Sequence, residues 1–126
     1  MRTILAAAVI FVGMGTATQA AIVGSAPAYG GSSQNVVVCY YSNIGAAAVV
    51  FSSSVIRVEP GNAVTEVSEF CVGSIPAGGR CRTVSISGIL NAAHWCRADV
   101  SDKAPLRGRM EIRNSSGTVL SSEEIR

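Results

Sequence analysis

The chain has 126 residues and a formal net charge of +2, with 48% hydrophobic and 14% charged residues. This length allows one domain and excludes two independent hydrophobic cores. The low charge content excludes a disordered acidic or basic tail protein, and the small positive excess argues against nucleic acid as a partner.

Residues 1–20 are predicted to be a secretory signal peptide. Arg2 supplies a positive charge, an apolar run extends from Ile4 to Val12, and small residues precede a cleavage site that we place after Ala20. The apolar run is too short for a membrane anchor, which needs about 20 apolar residues. We therefore expect an exported protein, periplasmic or extracellular, with no membrane span after cleavage.

The exported part is predicted to be a flexible leader followed by one β-domain. Residues 21–33 are rich in glycine, serine and alanine and show little periodicity, which is typical of a flexible segment. The domain then covers residues 34–126. Its β-type runs are predicted at 35–41, 46–51, 55–59, 64–71, 81–86, 93–100, 106–113 and 118–125. A turn is predicted at 59–62 and a hairpin at 114–117, where Gly117 suits a left-handed position. No stretch has convincing helical periodicity, so the sequence predicts an all-β, antiparallel β-sandwich with seven to eight short strands.

Four cysteines in an exported chain of this size indicate disulfide bonds. Cys39, Cys71, Cys81 and Cys96 lack the C-x-x-C spacing of a zinc site. Three pairings exist for four cysteines. We favour Cys71–Cys81, because these residues lie symmetrically about Pro76 and a turn there would bring them together. The second disulfide is then Cys39–Cys96.

The last third of the chain alternates most clearly between two faces. Residues 94, 96, 98 and 100 are predicted to face the core, whereas Trp95 and Arg97 face outward. The same period places Arg107, Arg109 and Arg113 on outward positions of the next strand. An aromatic side chain among arginines is a common composition for a binding surface, and guanidinium groups grip carboxylates or sulfates by paired contacts. The alternative is a solvated sheet face whose arginines form cross-strand pairs with acidic residues.

The sequence contains no convincing catalytic or metal-binding constellation, and we predict no cofactor. His94 is the only histidine, and its strand position predicts a buried residue with hydrogen bonds. No Gly-x-Ser-x-Gly motif marks an activated serine. Asp99 and Asp102 lack the regular ligand spacing of a calcium loop and are interpreted as residues that cap turns.

Three segments resemble a group of small uncharacterised exported bacterial proteins with a disulfide-stapled immunoglobulin-like β-sandwich. They are the run from Ser74 to Cys81, the run from Ala93 to Arg97, and Leu106-Arg107-Gly108. The resemblance implies an immunoglobulin-like fold and carries no activity. The separation of Cys39 from Cys96 also resembles the inter-sheet cysteine pair of immunoglobulin domains. However, Trp95 lies beside one cysteine and not on a strand between the two.

These observations favour an exported, non-enzymatic module that acts by binding or by structural association. The partner would be another envelope or extracellular protein, or an anionic glycan, with no nucleic acid involved. The alternative is a subunit of a surface or fimbrial-type assembly, in which the leader at 21–33 is donated as a strand to a neighbour. A less favoured hypothesis is a hydrolase, which would require His94 to be exposed in a cleft.

Overall fold

The computed structural model describes residues 20–126, and these form ten β-strands. The strands are β1 (Ala21–Gly24), β2 (Gln34–Asn43), β3 (Val49–Val58), β4 (Ala63–Thr65), β5 (Val67–Glu69), β6 (Gly73–Ile75), β7 (Arg80–Ser85), β8 (His94–Val100), β9 (Leu106–Asn114) and β10 (Val119–Ile125). Within these residues the chain forms no helix, and hence none long and apolar enough to cross a membrane. The predicted signal peptide, apart from Ala20, lies outside the described residues.

The strands form two antiparallel sheets that enclose one core. Sheet I has the order β1-β8-β3-β4, and β6 also pairs with β3. Sheet II has the order β10-β9-β2-β7-β5. The predicted all-β antiparallel sandwich is therefore confirmed. The strand count exceeds seven to eight because the structure adds β1 and divides the middle of the chain into three-residue strands.

Two of the predicted strand boundaries are wrong in an informative way. Residues 46–51 and 55–59 were expected to be separate strands, but a single strand, β3, continues through the serines. Ser52 and Ser53 donate side-chain hydrogen bonds to Asp99 on β8, so these polar residues join the sheet and do not end the strand. Conversely, the predicted strand at 64–71 is divided between β4 in sheet I and β5 in sheet II. The chain therefore crosses between the sheets at this point.

The predicted flexible leader is also wrong, because its first residues belong to sheet I. Ala21–Gly24 forms β1 and pairs with β8 over four residues. Gly24 also exchanges two main-chain hydrogen bonds with Arg126, at 2.9 and 3.0 Å. Val23 is only 3% exposed. A strand of this kind is stabilised by main-chain pairing and needs no side-chain periodicity, which explains why the sequence pattern did not indicate it.

Both predicted disulfides are present. Cys39 on β2 and Cys96 on β8 join sheet II to sheet I through the core, and both residues are fully buried. Cys71 and Cys81 connect the crossing segment between β5 and β6 to the start of β7. The core between the sheets contains large apolar side chains, including an edge-to-face pair between Tyr41 and Phe51. Disulfides of this number in a small domain are typical of exported proteins.

Candidate functional site

The structure does not bring the five predicted surface residues together. Trp95 and Arg97 lie on β8, which belongs to sheet I, whereas Arg107, Arg109 and Arg113 lie on β9 in sheet II. All five point away from the core, so the two groups occupy opposite outer faces of the sandwich. Alternation along each strand predicted the outward direction, but not the sheet to which each strand belongs.

The sheet I group has the character of an ordinary solvated face. Trp95 is opposite Arg57 on β3, and Arg97 forms an ion pair with Asp99 across 3.9 Å. The Arg57 guanidinium is turned toward the main chain, where Nη1 donates to the carbonyl oxygen of Asn62 at 2.7 Å. Among the described residues Arg57 has no carboxylate within ion-pair distance, so one uncompensated cation, and not a pair, lies beside Trp95.

The outer face of sheet II carries a denser group of arginines than the sequence analysis identified. Ser42 on β2 is directly opposite Arg80 on one side and Arg107 on the other. Tyr40 is likewise opposite Arg82 on β7 and Arg109 on β9. In two consecutive rows across the sheet, a residue of β2 therefore lies between one arginine of β7 and one arginine of β9. We call the four cations the arginine quartet: Arg80, Arg82, Arg107 and Arg109.

Sheet geometry sets the dimensions of the quartet. Two strand spacings separate β7 from β9, which places the paired arginines about 10 Å apart across β2. The two rows are two residues apart along the strands, or about 7 Å. The sequence pattern did not single out Arg80 and Arg82. They flank Cys81, however, and a strand whose Cys81 faces inward has its outward positions at 80 and 82.

Acidic residues balance this face only in part. Arg82 pairs with Glu69 at 2.9 Å, and Arg109 approaches Glu111 at 3.6 Å. Arg80 and Arg107 have no carboxylate within ion-pair distance among the described residues. Nη1 of Arg107 donates to the carbonyl oxygens of Ala104 and Leu106, which orients the group without neutralising it. The row that contains Ser42 therefore presents two uncompensated positive charges.

Arg113 belongs to a separate, tighter network beside the quartet. Its guanidinium donates two hydrogen bonds to one carboxylate oxygen of Glu111 and a third, at 3.1 Å, to the hydroxyl of Tyr40. The guanidinium carbon also lies 6.0 Å from the centre of the Tyr40 ring. Hydrogen bonding to Glu111 raises the pKa of Arg113, so its charge is permanent. This network holds the Tyr40 ring in place at the centre of the face.

Three hollows follow one another along β2 on this face, and we call them together the trough. Its floor consists of the outward residues of β2, which are Val36, Val38, Tyr40 and Ser42. A hollow of about 420 Å³ lies over the first three of them and is walled by polar side chains, including Arg82, Ser87, Arg113, Asn114 and Ser115. Two smaller hollows lie on either side of Tyr40, one toward Arg80 and Arg82 and one toward Arg107 and Arg109. The floor from residue 36 to residue 42 is about 20 Å long at the rise of a β-strand.

His94 occupies the core, as the strand alternation predicted. Its side chain is fully buried, and Nδ1 lies 2.9 Å from the carbonyl oxygen of Ala92. Nε2 has no hydrogen-bond partner. Burial lowers the pKa of His94, more than the bond to Ala92 raises it, so the ring is neutral at pH 7. The exposed histidine that the hydrolase hypothesis requires is not found at this position.

The remaining polar residues have structural contacts. Oδ1 of Asp102 accepts a hydrogen bond from the amide of Ala104, as expected for a residue that caps a turn. The same prediction is wrong for Asp99, which lies within β8 and accepts a hydrogen bond from the Ser53 hydroxyl on β3. Oδ1 of Asn114 accepts from the amides of Ser116 and Thr118, and Gly117 adopts a left-handed φ of 84° in the predicted hairpin. Between residues 20 and 126 there is no group of three or more histidine, cysteine, aspartate or glutamate side chains that could hold a metal ion.

The core also contains one tyrosine hydroxyl without a hydrogen-bond partner. Tyr41 is 2% exposed, and burial raises its pKa to about 12, against a smaller lowering by the neighbouring Ser54 hydroxyl. Ser54 is hydrogen-bonded to Thr83, and its approach to Tyr41 does not have the geometry of a hydrogen bond. Tyr41 faces inward, away from the arginine quartet, and we assign it no role in binding.

No match was found for this chain among protein-family models, curated proteins or solved structures.

Proposed function

We propose that the protein is an exported, non-enzymatic binding module that recognises an anionic partner through the outer face of sheet II. The observation that carries this proposal is the arginine quartet, in which two arginine pairs flank Ser42 and Tyr40. Planar guanidinium groups bind carboxylates and sulfates with two parallel hydrogen bonds, so a group of four provides both charge and geometry. This proposal moves the predicted contact surface away from Trp95 and Arg97 and adds Arg80 and Arg82.

Arg80 and Arg107 are expected to contribute most to affinity. Neither loses an existing ion pair when it contacts a ligand, whereas Arg82 and Arg109 have to share or release a glutamate. The Arg82–Glu69 pair is exposed on both sides, and such pairs contribute only about 0.2–1 kcal/mol, so its release costs little. Glu111 is largely buried and stays bonded to Arg113, so Arg109 can turn to a ligand without leaving this carboxylate unpaired. A ligand with several negative charges can therefore use all four cations.

The test compares two double variants that remove the same charge from opposite faces. Arg80→Gln/Arg107→Gln removes the free pair from the quartet, and Arg57→Gln/Arg97→Gln is the matched control on sheet I. Binding of immobilised polygalacturonate and poly-L-glutamate is measured by interferometry at several salt concentrations, with neutral dextran as a blank. We expect at least a tenfold loss of affinity in the first variant and little change in the second. Equal losses in both variants, or no binding of either polyanion by the unmodified protein, would contradict the proposal.

The fimbrial-type alternative has less support. It requires a leader that is unpaired in the isolated protein, but β1 is paired with β8 and bonded to Arg126 within the same chain. Exchange of β1 between copies would have to break these contacts first. Concentration-dependent polymers that disappear when residues 21–25 are deleted would favour this alternative.

A further inference from the structure

We infer that the anionic partner is an acidic polysaccharide that lies lengthwise in the trough along β2, with a sugar ring against Tyr40. This inference rests on the proposed function and names the class of ligand for the same site. It uses three features that a charge cluster alone does not have: the shape of the trough, its floor and its position in the sheet.

The floor of the trough suits the faces of sugar rings. Val36 and the ring of Tyr40 are half-buried and form an apolar surface at the base of a polar hollow, whereas Val38 between them is only 5% exposed. Pyranose rings present C–H groups on their faces and hydroxyl groups around their edges, so they pack on an aromatic or apolar floor and hydrogen-bond to the walls. Arg113 fixes the Tyr40 hydroxyl at 3.1 Å, and this limits the rotation of the ring. A fixed platform reduces the entropy lost on binding.

The walls supply the other half of the recognition. At the end of the trough near Val36 they carry hydroxyl and amide groups from Ser87, Asn114 and Ser115. Toward Ser42 they carry the guanidinium groups of the quartet. The hollows along β2 thus combine neutral hydrogen-bonding groups with cations and with one carboxylate, Glu69, which is paired with Arg82. This combination matches a polymer in which every unit has hydroxyls and some units carry a carboxylate or sulfate. A trough of about 20 Å accepts several such units.

The position of β2 argues against an acidic peptide. Extended peptides commonly bind by adding a strand to an open sheet edge, where main-chain groups are free. β2 is a central strand and is hydrogen-bonded to β7 on one side and β9 on the other. A peptide in the trough would find no main-chain partners on the floor, and its own amide and carbonyl groups would be matched only by the walls. An acidic peptide would therefore be held mainly by charge.

The test compares two ligands with the same number of carboxylates, an oligogalacturonate and an oligoglutamate. Their affinities are measured by calorimetry for the unmodified protein, for Tyr40→Leu, and for Tyr29→Leu as a matched control at an exposed tyrosine outside the trough. We expect the oligogalacturonate to bind at least tenfold more tightly. Tyr40→Leu should remove this preference without changing the affinity for oligoglutamate, and Tyr29→Leu should change neither.

The outcomes separate the two proposals. Equal affinity for the two ligands, or an unchanged preference in Tyr40→Leu, would overturn the inference of a polysaccharide and leave the anion-binding face intact. Failure of both ligands to bind would instead overturn the proposed function itself. A sulfated oligosaccharide that binds more tightly than the oligogalacturonate would support the inference and assign sulfate as the preferred charge.

Discussion

We predict that the disulfide between the sheets contributes more to the free energy of unfolding than the disulfide between Cys71 and Cys81. Cys39–Cys96 closes a loop with a sequence separation of 57 and joins the two sheets, whereas Cys71–Cys81 closes one of 10 where the chain crosses between the sheets. In the chain-entropy description, the long loop contributes about 4 kcal/mol and the short loop about 3 kcal/mol to the free energy of unfolding. Both Cys39 and Cys96 are fully buried, whereas Cys71 is buried and Cys81 only half-buried, so replacement by alanine adds a larger cavity cost for the long link. We expect Cys39→Ala/Cys96→Ala to be less stable than Cys71→Ala/Cys81→Ala by more than 1 kcal/mol.

The measurement is urea unfolding of both double variants and of the unmodified protein. All samples contain the same concentration of trimethylamine N-oxide, because this osmolyte favours folding and keeps the weaker variant measurable. The free energy of unfolding of such a domain is only about 5–15 kcal/mol, so a loss of about 4 kcal/mol is a large fraction of it. The dependence on urea should also steepen when the long link is removed, because the unfolded chain becomes more open. If removal of Cys71–Cys81 cost as much as removal of Cys39–Cys96, the reasoning from loop length and burial would be refuted.

Two further predictions concern the buried polar groups of the core. Burial lowers the pKa of His94 below the value of about 6.5 that it has in the unfolded chain. As the pH falls below about 6.5, the unfolded chain therefore binds a proton before the folded protein does. The stability associated with neutral His94 is present above this pH and is lost below it. Unfolding in urea at pH 7 and pH 5 should show a larger loss for the unmodified protein than for His94→Gln, and equal losses would contradict the burial argument. Tyr41→Phe removes a buried hydroxyl without a partner, so the free energy of unfolding should stay within about 0.5 kcal/mol or rise. A loss above about 1.5 kcal/mol would show that the hydroxyl has a partner in solution.

Alternation along the sequence predicted the strands that have the core on one face and solvent on the other along their whole length. β8 alternates between buried and half-buried residues along its whole length, and its inward set is the one expected from period two. The cysteine pairing also followed from a local feature, because the turn at Pro76 and Gly79 brings Cys71 and Cys81 together. The amide of Gly79 donates to the carbonyl oxygen of Pro76 at 2.9 Å, and this bond closes the turn.

The candidate site depended on information that one strand does not contain. Which sheet a strand joins is decided by its partners, and β8 and β9 are consecutive in the chain yet belong to different sheets. The pattern therefore placed Arg97 with Arg109, although the sandwich separates them. In the same way, Arg80 and Arg107 are 27 positions apart and become neighbours only through Ser42 on β2. Strand pairing, and not side-chain periodicity, creates the quartet.

The fold itself does not account for the arrangement of these arginines. Like charges about 7 Å apart on one face of a strand repel each other, and this spacing separates Arg80 from Arg82 and Arg107 from Arg109. Arg80 and Arg107 form no ion pair among the described residues that would offset this repulsion. The contacts that stabilise the sandwich lie elsewhere, in the core and in the link between Cys39 and Cys96. Glu111 could have balanced a quartet arginine more closely, but its tightest contact is with Arg113, which in turn orients Tyr40. The acidic residue thus fixes the platform and leaves the cations beside it available, which is the distribution of charge that an anionic ligand in the trough requires.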